Sequence, residues 1–412
     1  MSEVIRYAAA ACQTDFANPI DRLSMRQNTD RMLSMIESAV AGSAPFLPVR
    51  LVVFPEFAHA APVFATVSEL LDKLALPVPN EHTDRLERTA REHGIYIQSG
   101  SMIEVDPRWP DVVFNTTCLI GPEGLLYRYR KVNPWIPYEV HASPHDIADY
   151  PDPLFPVADT PIGRIGCAIC YDWLFPEAMR QLAANGAEVL IRVSAYMDPW
   201  GATEPMSWWT TVNRCRALEN TAFVVAANQG ASLRHYPPYS WPGGSQIVDF
   251  DGRMLAEASA GPGERIVVAP LDISALRHER ETRRGHLTLA HLRTEAYPVY
   301  ATPHYPPAPR TAEHAAQLSY ERNLELIEAA KRFTNPDVTS GSQGSSMERS
   351  NPAACEKRLA PQDGPERSNQ AAREKQLTPQ DGPERSNQAA REKQLAPQDG
   401  PERYNQAARE NK

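Results

Sequence analysis

"GRIGCAICYDWLFPE", residues Gly163 to Glu177, ends an apolar run in two cysteines three residues apart and then opens a helix-like segment behind a proline. The pair admits three readings: a redox or metal couple, two buried thiols, or one nucleophile with an incidental neighbour. A zinc site needs two more ligands at compatible spacing, and a thioredoxin-type pair belongs at a helix N-terminus within a different strand order. The chain has no second Cys-x-x-Cys pair. Side-chain alternation along a strand that runs to Ile169 sends Cys167 into packing and leaves Cys170 on the turn. Whether Cys170 does chemistry then depends on residues far away in the sequence.

Outward from this strand, residues up to about 300 read as alternating strands and helices with turn punctuation between them. Strands are expected near Ile5–Cys12, at "RLVVF" (Arg50–Phe54), and at "GIYIQSGSM", "VVFNTTCLI", "GLLYRYRK", "GRIGCAIC", "EVLIRVSA", "AFVVAAN", "SQIVDFDG" and "RIVVAPL". "RLVVF" is a continuous apolar run of the kind a buried central strand carries. Helices are expected at Asn28–Val40, Glu81–Glu92, Pro176–Ala184 and Pro205–Glu219. The inventory implies α/β layering with more strands than a simple doubly wound sheet needs.

The Pro-rich "TPHYPPAPR", Thr302 to Arg310, ends this region, because consecutive prolines continue neither helix nor sheet. A single amphipathic helix is expected from Thr311 to about Phe333, lying on the main domain or on a partner subunit. Beyond it, "LAPQDGPERSNQAAREKQ" at Leu359 recurs at Leu377 and, slightly altered, at Leu395. One leucine per repeat offers too little apolar surface to offset chain entropy, so a disordered tail is expected rather than a solenoid. The expected domains are therefore residues 1–301, a linker and helix over 302–334, and the tail over 335–412.

The chain of 412 residues is long enough to bury a sizeable core. A formal net charge of −9 with no Lys/Arg cluster argues against a nucleic-acid surface. The start, "MSEVIRYAAAACQ", lacks the basic region and apolar core of a secretory leader, and no run approaches the ~20 apolar residues of a membrane span. Six scattered cysteines suit free thiols in a reducing compartment. A soluble cytoplasmic protein is expected, with no membrane and no nucleic-acid partner.

Three strand ends carry candidate chemistry: "VVFPEFA" places Glu56, "YRYRKVNPW" places Lys131 and "GCAICYD" places Cys170. In open α/β folds the groups leaving the carboxyl ends of strands converge on a shared crevice. Taken singly, Glu56 reads as a first-turn acid, Lys131 as a solvated charge and Cys170 as a small buried hydrophobe; the combination points to a site. A thiol with a free pKa near ~8.5 needs a neighbouring base or cation before it attacks a carbonyl carbon. Glu56 can take its proton. Lys131 and the backbone N–H of Tyr171 can face the oxyanion of a tetrahedral intermediate. Such a site performs acyl transfer and requires neither a metal nor an organic cofactor.

"FPEF", "YRK" and "CYDWLFPE", in this order and context, resemble the nitrilase, or carbon–nitrogen hydrolase, superfamily over roughly residues 5 to 300. The resemblance implies a Glu56–Lys131–Cys170 triad, an αββα sandwich and a thioester intermediate on Cys170. "YRKVNPWIPYE" is most similar to aliphatic amidases and formamidases, in which a second glutamate follows the lysine at the same interval. That residue here is Glu139. By this resemblance Glu139 positions the substrate or lysine, and Trp135 walls the pocket, with Phe57 and Tyr196 as further apolar walls. "AEVLIRVSAYMDP" resembles the strand bordering an amidase site, making Ser194 and Tyr196 pocket candidates. Ser194 stands where aliphatic amidases carry a larger amide side chain, which leaves room for an acyl group larger than acetyl.

The favoured activity is hydrolysis of a neutral carboxamide to acid and ammonia. The alternatives are a nitrilase or N-carbamoyl-amide hydrolase on the same triad and, last, a non-catalytic binding protein. Carbamoyl amino acid hydrolases of the family carry an arginine soon after the nucleophile; here Asp172, Trp173 and Leu174 stand there. The histidines of "YEVHASPHD" are expected to line the pocket or the surface rather than hold a metal. Trp208 and Trp209 are expected in packing. Arg192, a charge in an apolar strand, is expected in a buried structural ion pair. The family resemblance also implies a homo-oligomer, a dimer or larger.

Overall fold

A computed structural model describes residues 4–62, 64–136, 138–197, 207–232, 234–235, 241–301 and 311–334. Twelve strands among these residues form two six-stranded sheets. The first sheet contains β1 (Arg6–Gln13), β2 (Val49–Val53), β3 (Tyr96–Asp106), β4 (Trp109–Gly121), β5 (Gly124–Arg130) and β12 (Arg265–Asp272), in the order β12-β1-β2-β3-β4-β5. The second contains β6 (Val157–Thr160), β7 (Gly163–Ile169), β8 (Val189–Ser194), β9 (Phe223–Asn228), β10 (Gln246–Val248) and β11 (Met254–Glu257), in the order β11-β10-β9-β8-β7-β6. Both sheets are parallel at the centre, β1-β2-β3 and β7-β8-β9, and antiparallel toward the edges.

The sequence explains the layering. In β1, Tyr7, Ala9 and Ala11 join the core between the sheets, whereas Ala8, Ala10 and Cys12 face the helices α1 (Met25–Ser43) and α3 (Glu81–His93). A strand buried on both faces needs apolar residues at successive positions, and a run of alanines lets the layers approach closely. On the far side α4 (Pro176–Ala184) and α5 (Trp208–Asn220) cover the second sheet. The result is the expected αββα sandwich. The α3 boundaries follow from its caps: Asn80 Oδ1 accepts from the His82 and Thr83 amides at 2.9 and 3.2 Å, and Gly94 ends the helix at φ 63°.

Four elements lie outside the sequence reading: β6, β11, α2 (Val67–Lys73) and α6 (Ile273–Thr282). β6 and β11 are four-residue edge strands, too short to display a period, and α6 buries only Ile273 and Leu276. The single helix expected from Thr311 is two, α7 (Ala312–Ala316) and α8 (Tyr320–Thr334). Between them Leu318 turns into the core beside α2, Ser319 bridges to Thr66, and the Ser319 hydroxyl accepts from the Arg322 amide at 3.2 Å to start α8. The segment covers its own domain, with Ala315 buried against Val112, Phe114 and Ile147. The linker 302–310 and the expected tail over 335–412 lie outside the described residues. Among the described residues no helix is long and apolar enough to cross a membrane.

Candidate active site

The carboxyl ends of β2, β5, β7 and β8 bring the sequence-predicted residues together. The chain leaves β2 through Pro55 into Glu56, with Phe57 in the left-handed region at φ 59°. Cys170 stands directly after β7 at φ 44° and opens a short 3-10 turn, Cys170–Leu174, that leads into α4. A positive φ on a non-glycine residue is strained, and here it lifts the thiol off the strand end toward the crevice.

Glu56 and Lys131, each only 1% exposed, sit at the centre of a hydrogen-bond network. Glu56 Oε1 accepts from Lys131 Nζ at 2.8 Å and from Asn115 Nδ2 at 2.9 Å. Its other oxygen accepts from the Ala195 amide at 3.0 Å, and the carboxylate stands close enough to Cys170 for each to shift the other's proton affinity. Glu139 closes the far side: both its oxygens accept from Lys131 Nζ at 2.8 Å. Glu139 Oε2 also accepts from the Trp135 amide at 2.5 Å and contacts His141 Nε2 at 3.1 Å.

The electrostatics follow from burial and from the two acids around one lysine. Burial pushes the Cys170 thiol up to about 12, and the neighbouring Glu56 carboxylate adds to this; Lys131, Ser194 and Arg192 pull the other way. The resting thiol is therefore protonated. Burial raises Glu56 above the usual carboxylate range, against the pull of Lys131 and with the help of Glu139. Burial also acts on Glu139, but Lys131 and His141 overcome it and hold that carboxyl down at about 2. For Lys131, burial favours the neutral amine, and the carboxylates of Glu139 and Glu56 outweigh it, so the ammonium persists. A base poised to titrate beside a proton donor is the pairing that general acid–base catalysis requires.

Asp172 shapes the turn that begins at Cys170. Its Oδ2 accepts from Tyr129 Oη at 2.7 Å and from the Ile169 amide at 3.0 Å, while Oδ1 accepts from the Asn133 amide and side chain at 2.8 and 2.9 Å. Two residues from Cys170, it ties the turn after β7 to the loop after Lys131.

A cavity of about 250 Å³ opens above Cys170, bounded by Trp135, Tyr171, Leu174, Ala195, Tyr196, Met197 and Trp208. At ~30 Å³ per water this holds about eight waters or one small organic molecule. Trp135, Tyr171 and Tyr196 line it as expected from the sequence. Phe57 is not among the lining residues; it packs in a cluster with Ala195, Ala231, Trp241 and Met197, two of which line the cavity. Ser194 is buried and is not among the residues that line the cavity, and its hydroxyl lies beside Cys170, where it favours the thiolate. Trp208, expected in packing, lines the cavity and is 43% exposed, whereas Trp209 is buried.

Cys167 is fully buried in the core between the sheets, and burial raises its thiol well above the ordinary range. The five cysteines among the described residues are free thiols. Arg192 departs from expectation. Among the described residues no carboxylate pairs with it; Nη1 donates to Asn213 Oδ1 at 2.7 Å, and the rings of Trp209, Tyr196 and Trp173 surround the guanidinium at 4.2, 5.2 and 5.4 Å.

Sequence reasoning passed over Asn115, Asn133, Asp172 and Leu174 as site residues, and gave His141 only a pocket-lining or surface role. Asn115 carried a signal, a polar side chain inside the apolar run "VVFNTTCLI". The Ala195 amide carried none, since a backbone donor leaves no trace in residue type.

The carbon-nitrogen hydrolase family model matches residues 8–281. A formamidase of Bacillus cereus (strain AH820) is 29% identical over 252 residues, 60% of this chain and 69% of the relative. Among solved structures, Nit3 of Saccharomyces cerevisiae, a member of branch 10 of the nitrilase superfamily, superposes with a TM-score of 0.56 at 25% identity, covering 68% of this chain and 95% of that one. The amidase of Nesterenkonia sp. AN1, seen with the acetamide moiety of fluoroacetamide added covalently at its active-site cysteine, shares the fold with a TM-score of 0.53 at 22% identity, over 71% of this chain and 96% of that one.

Proposed function

The chain belongs to the carbon-nitrogen hydrolase family, and from that premise we propose that it hydrolyses a small neutral carboxamide to the carboxylic acid and ammonia through a thioester on Cys170. The observation that carries the reading is a convergence: Glu56 is held by Lys131 Nζ at 2.8 Å and by the Ala195 amide at 3.0 Å, and Ala195 and Cys170 line the same cavity.

The steps follow from these positions. Glu56 takes the Cys170 proton as sulfur bonds to the amide carbon, and the carbonyl π electrons move onto oxygen. Lys131 and the Tyr171 amide stabilise that oxyanion, the largest single contribution such sites make. The oxyanion collapses, the C–N bond breaks, and protonated Glu56 gives its proton to the departing nitrogen, releasing ammonia. Water then enters, Glu56 takes one of its protons, and oxygen adds to the thioester carbon. The second oxyanion collapses, the C–S bond breaks, and the proton on Glu56 returns to sulfur. Glu139 keeps Lys131 charged and in place through both halves. The formamidase relative supports an amide as substrate. We place the enzyme in the cytoplasm as a homo-oligomer.

The test combines ammonia release from a panel of amides, nitriles and N-carbamoyl amino acids with mass spectrometry of the intact protein. Cys170→Ala should fold, release no ammonia and form no acyl adduct. A folded Cys170→Ala enzyme with near-normal turnover, or a dead but folded Cys167→Ala enzyme, overturns the assignment.

A further inference from the structure

Arg192 is 0% exposed, and Nε and Nη2 have no hydrogen-bond partner. Its neighbours in the sheet are Ala168 and Ala226, whose small side chains leave space for the guanidinium at the face toward α5. Buried arginines are ordinarily matched by a carboxylate, since a buried charge costs several kcal/mol unless paired. Here the matches are the neutral Asn213 amide and three aromatic rings, which offset part of the desolvation through the negative faces of their π systems.

The charged groups around the Cys170 turn complete the account. Glu56 and Lys131 face the thiol from the loops after β2 and β5, with Glu139 behind Lys131 and Asp172 on the turn itself. From α5 comes Arg216, already paired with Glu219 at 3.0 Å. Tyr196 lies between the cavity and the guanidinium. Against the buried carboxylates of Glu56, Glu139 and Asp172, Lys131 supplies one buried cation and Arg192 a second.

We propose that Arg192 is the fixed counter-charge for the negative charge that develops at Cys170, left without a carboxylate so that its field stays directed at the sulfur. It lies outside the cavity wall and acts on the thiolate through the low-dielectric strand end, as a positioning residue rather than a substrate contact. Two observations place it at that turn: its register partner Ala168 stands two residues before Cys170, and the ring of Trp173, within the turn, lies 5.4 Å from the guanidinium; burial lowers Arg192 only to about 10. At neutral pH it remains a cation. When the Cys170 proton passes to Glu56 the negative charge moves from carboxylate to sulfur, and the nearby cation makes that transfer less unfavourable.

The inference rests on Cys170 being the nucleophile, and the test separates the two. Full-length protein is treated with iodoacetamide across a range of pH, and carbamidomethylation of the Cys170 peptide is followed by mass spectrometry, with the exposed Cys215 as internal control. Arg192→Met should displace the rising limb of Cys170 alkylation upward by about one pH unit, a rate loss of about tenfold at fixed pH. Arg192→Lys, which retains the charge, should recover most of that loss. Asn213→Asp supplies the missing carboxylate without removing the cation, and should slow alkylation in the same sense. It keeps the result decisive if Arg192→Met fails to fold, and its lost hydrogen bond to Gln246 would appear in Tm rather than in the pH displacement. Folded Arg192→Met or Asn213→Asp proteins with a wild-type profile overturn the counter-charge role and leave the nucleophile in place. A wild-type Cys170 no more reactive than Cys215 removes both.

Discussion

Asn323 Nδ2 on α8 donates a 2.8 Å hydrogen bond to the main-chain oxygen of Glu139, joining the C-terminal helix to the acid beside Lys131. Asn323 is buried, and Tyr320 one turn earlier meets the ring of Tyr138 edge-on at 6.1 Å. The C-terminal helix thus braces the loop that supplies Glu139.

Asn323→Ala leaves a buried carbonyl without this donor, a loss of ~1–3 kcal/mol. Steady-state kinetics should show kcat reduced about two- to tenfold, taking roughly half of that energy to be felt at Lys131, with KM little changed. A lowered Tm with normal kcat would confine α8 to a structural role. A chain ending at Ser340 keeps α8 and should retain its rate on a small amide, whereas one ending at Pro309 should lose it.

The two glutamates are predicted to oppose one another in stability. Glu56 is raised in the folded protein, so its stabilising contribution is present below its unfolded value of 4.5 and is lost as pH rises through the folded pKa. Glu139 is held down at about 2, so its contribution is present above 4.5 and is lost as pH falls toward 2. At pH 7.5, Glu56→Gln should be inactive with an equal or higher Tm, a stability–activity trade-off. Glu139→Gln should be both impaired and less stable, and its Tm deficit should shrink as pH falls from 4.5 toward 2. Equal Tm changes for the two variants at pH 7.5 would contradict this arrangement. In wild type, kcat/KM should rise with pH through a limb lying above 4.5, because Glu56 must be ionised to receive the thiol proton.

The residues that carry their chemistry in their type were legible in the sequence: Glu56, Lys131, Glu139 and Cys170 meet as the motif spacing required. The central strands were legible too, since continuous apolar runs such as "RLVVF" have no other stable placement. What escaped depends on context. Phe57 and Ser194 sit just behind the lining rather than in it, and the helix from Thr311 breaks because Leu318 finds a core that its own sequence does not announce. Arg192 was visible as a charge in an apolar strand, but the pairing rule that predicts a carboxylate partner fails where a site uses the imbalance.

Asp172 provides the third prediction. It accepts four hydrogen bonds that span the nucleophile turn and the Asn133 loop. Asp172→Ala strands those donors in a buried setting, so Tm should fall markedly and kcat by at least ~100-fold, because a misplaced nucleophile forfeits its near-attack geometry. Tyr129→Phe removes one of the four bonds and should give a partial loss. A fully active Asp172→Ala enzyme would show that the turn at Cys170 holds itself.

The last prediction concerns substrate charge and size. Three buried carboxylates, Glu56, Glu139 and Asp172, face the two cations Lys131 and Arg192, and the described cavity wall contributes apolar and tyrosine surface without a formal charge. Transfer of the Cys170 proton to Glu56 leaves that count unchanged. An anionic substrate would place an unpaired charge among these groups, at a cost of ~3 kcal/mol or more. Neutral amides should therefore exceed N-carbamoyl amino acids by ~100-fold or more in kcat/KM. Nitriles should be slow, since their linear geometry demands a different approach to the thiol. Size is set at the outer wall by Leu174, Met197 and Trp208 rather than by Ser194. Trp208→Ala should move the preference toward bulkier acyl groups, with kcat/KM for a phenylacetamide-sized substrate rising relative to the smallest amides, whereas Ser194→Ala should leave the ratio unchanged. The reverse pattern would place the acyl pocket beneath β8.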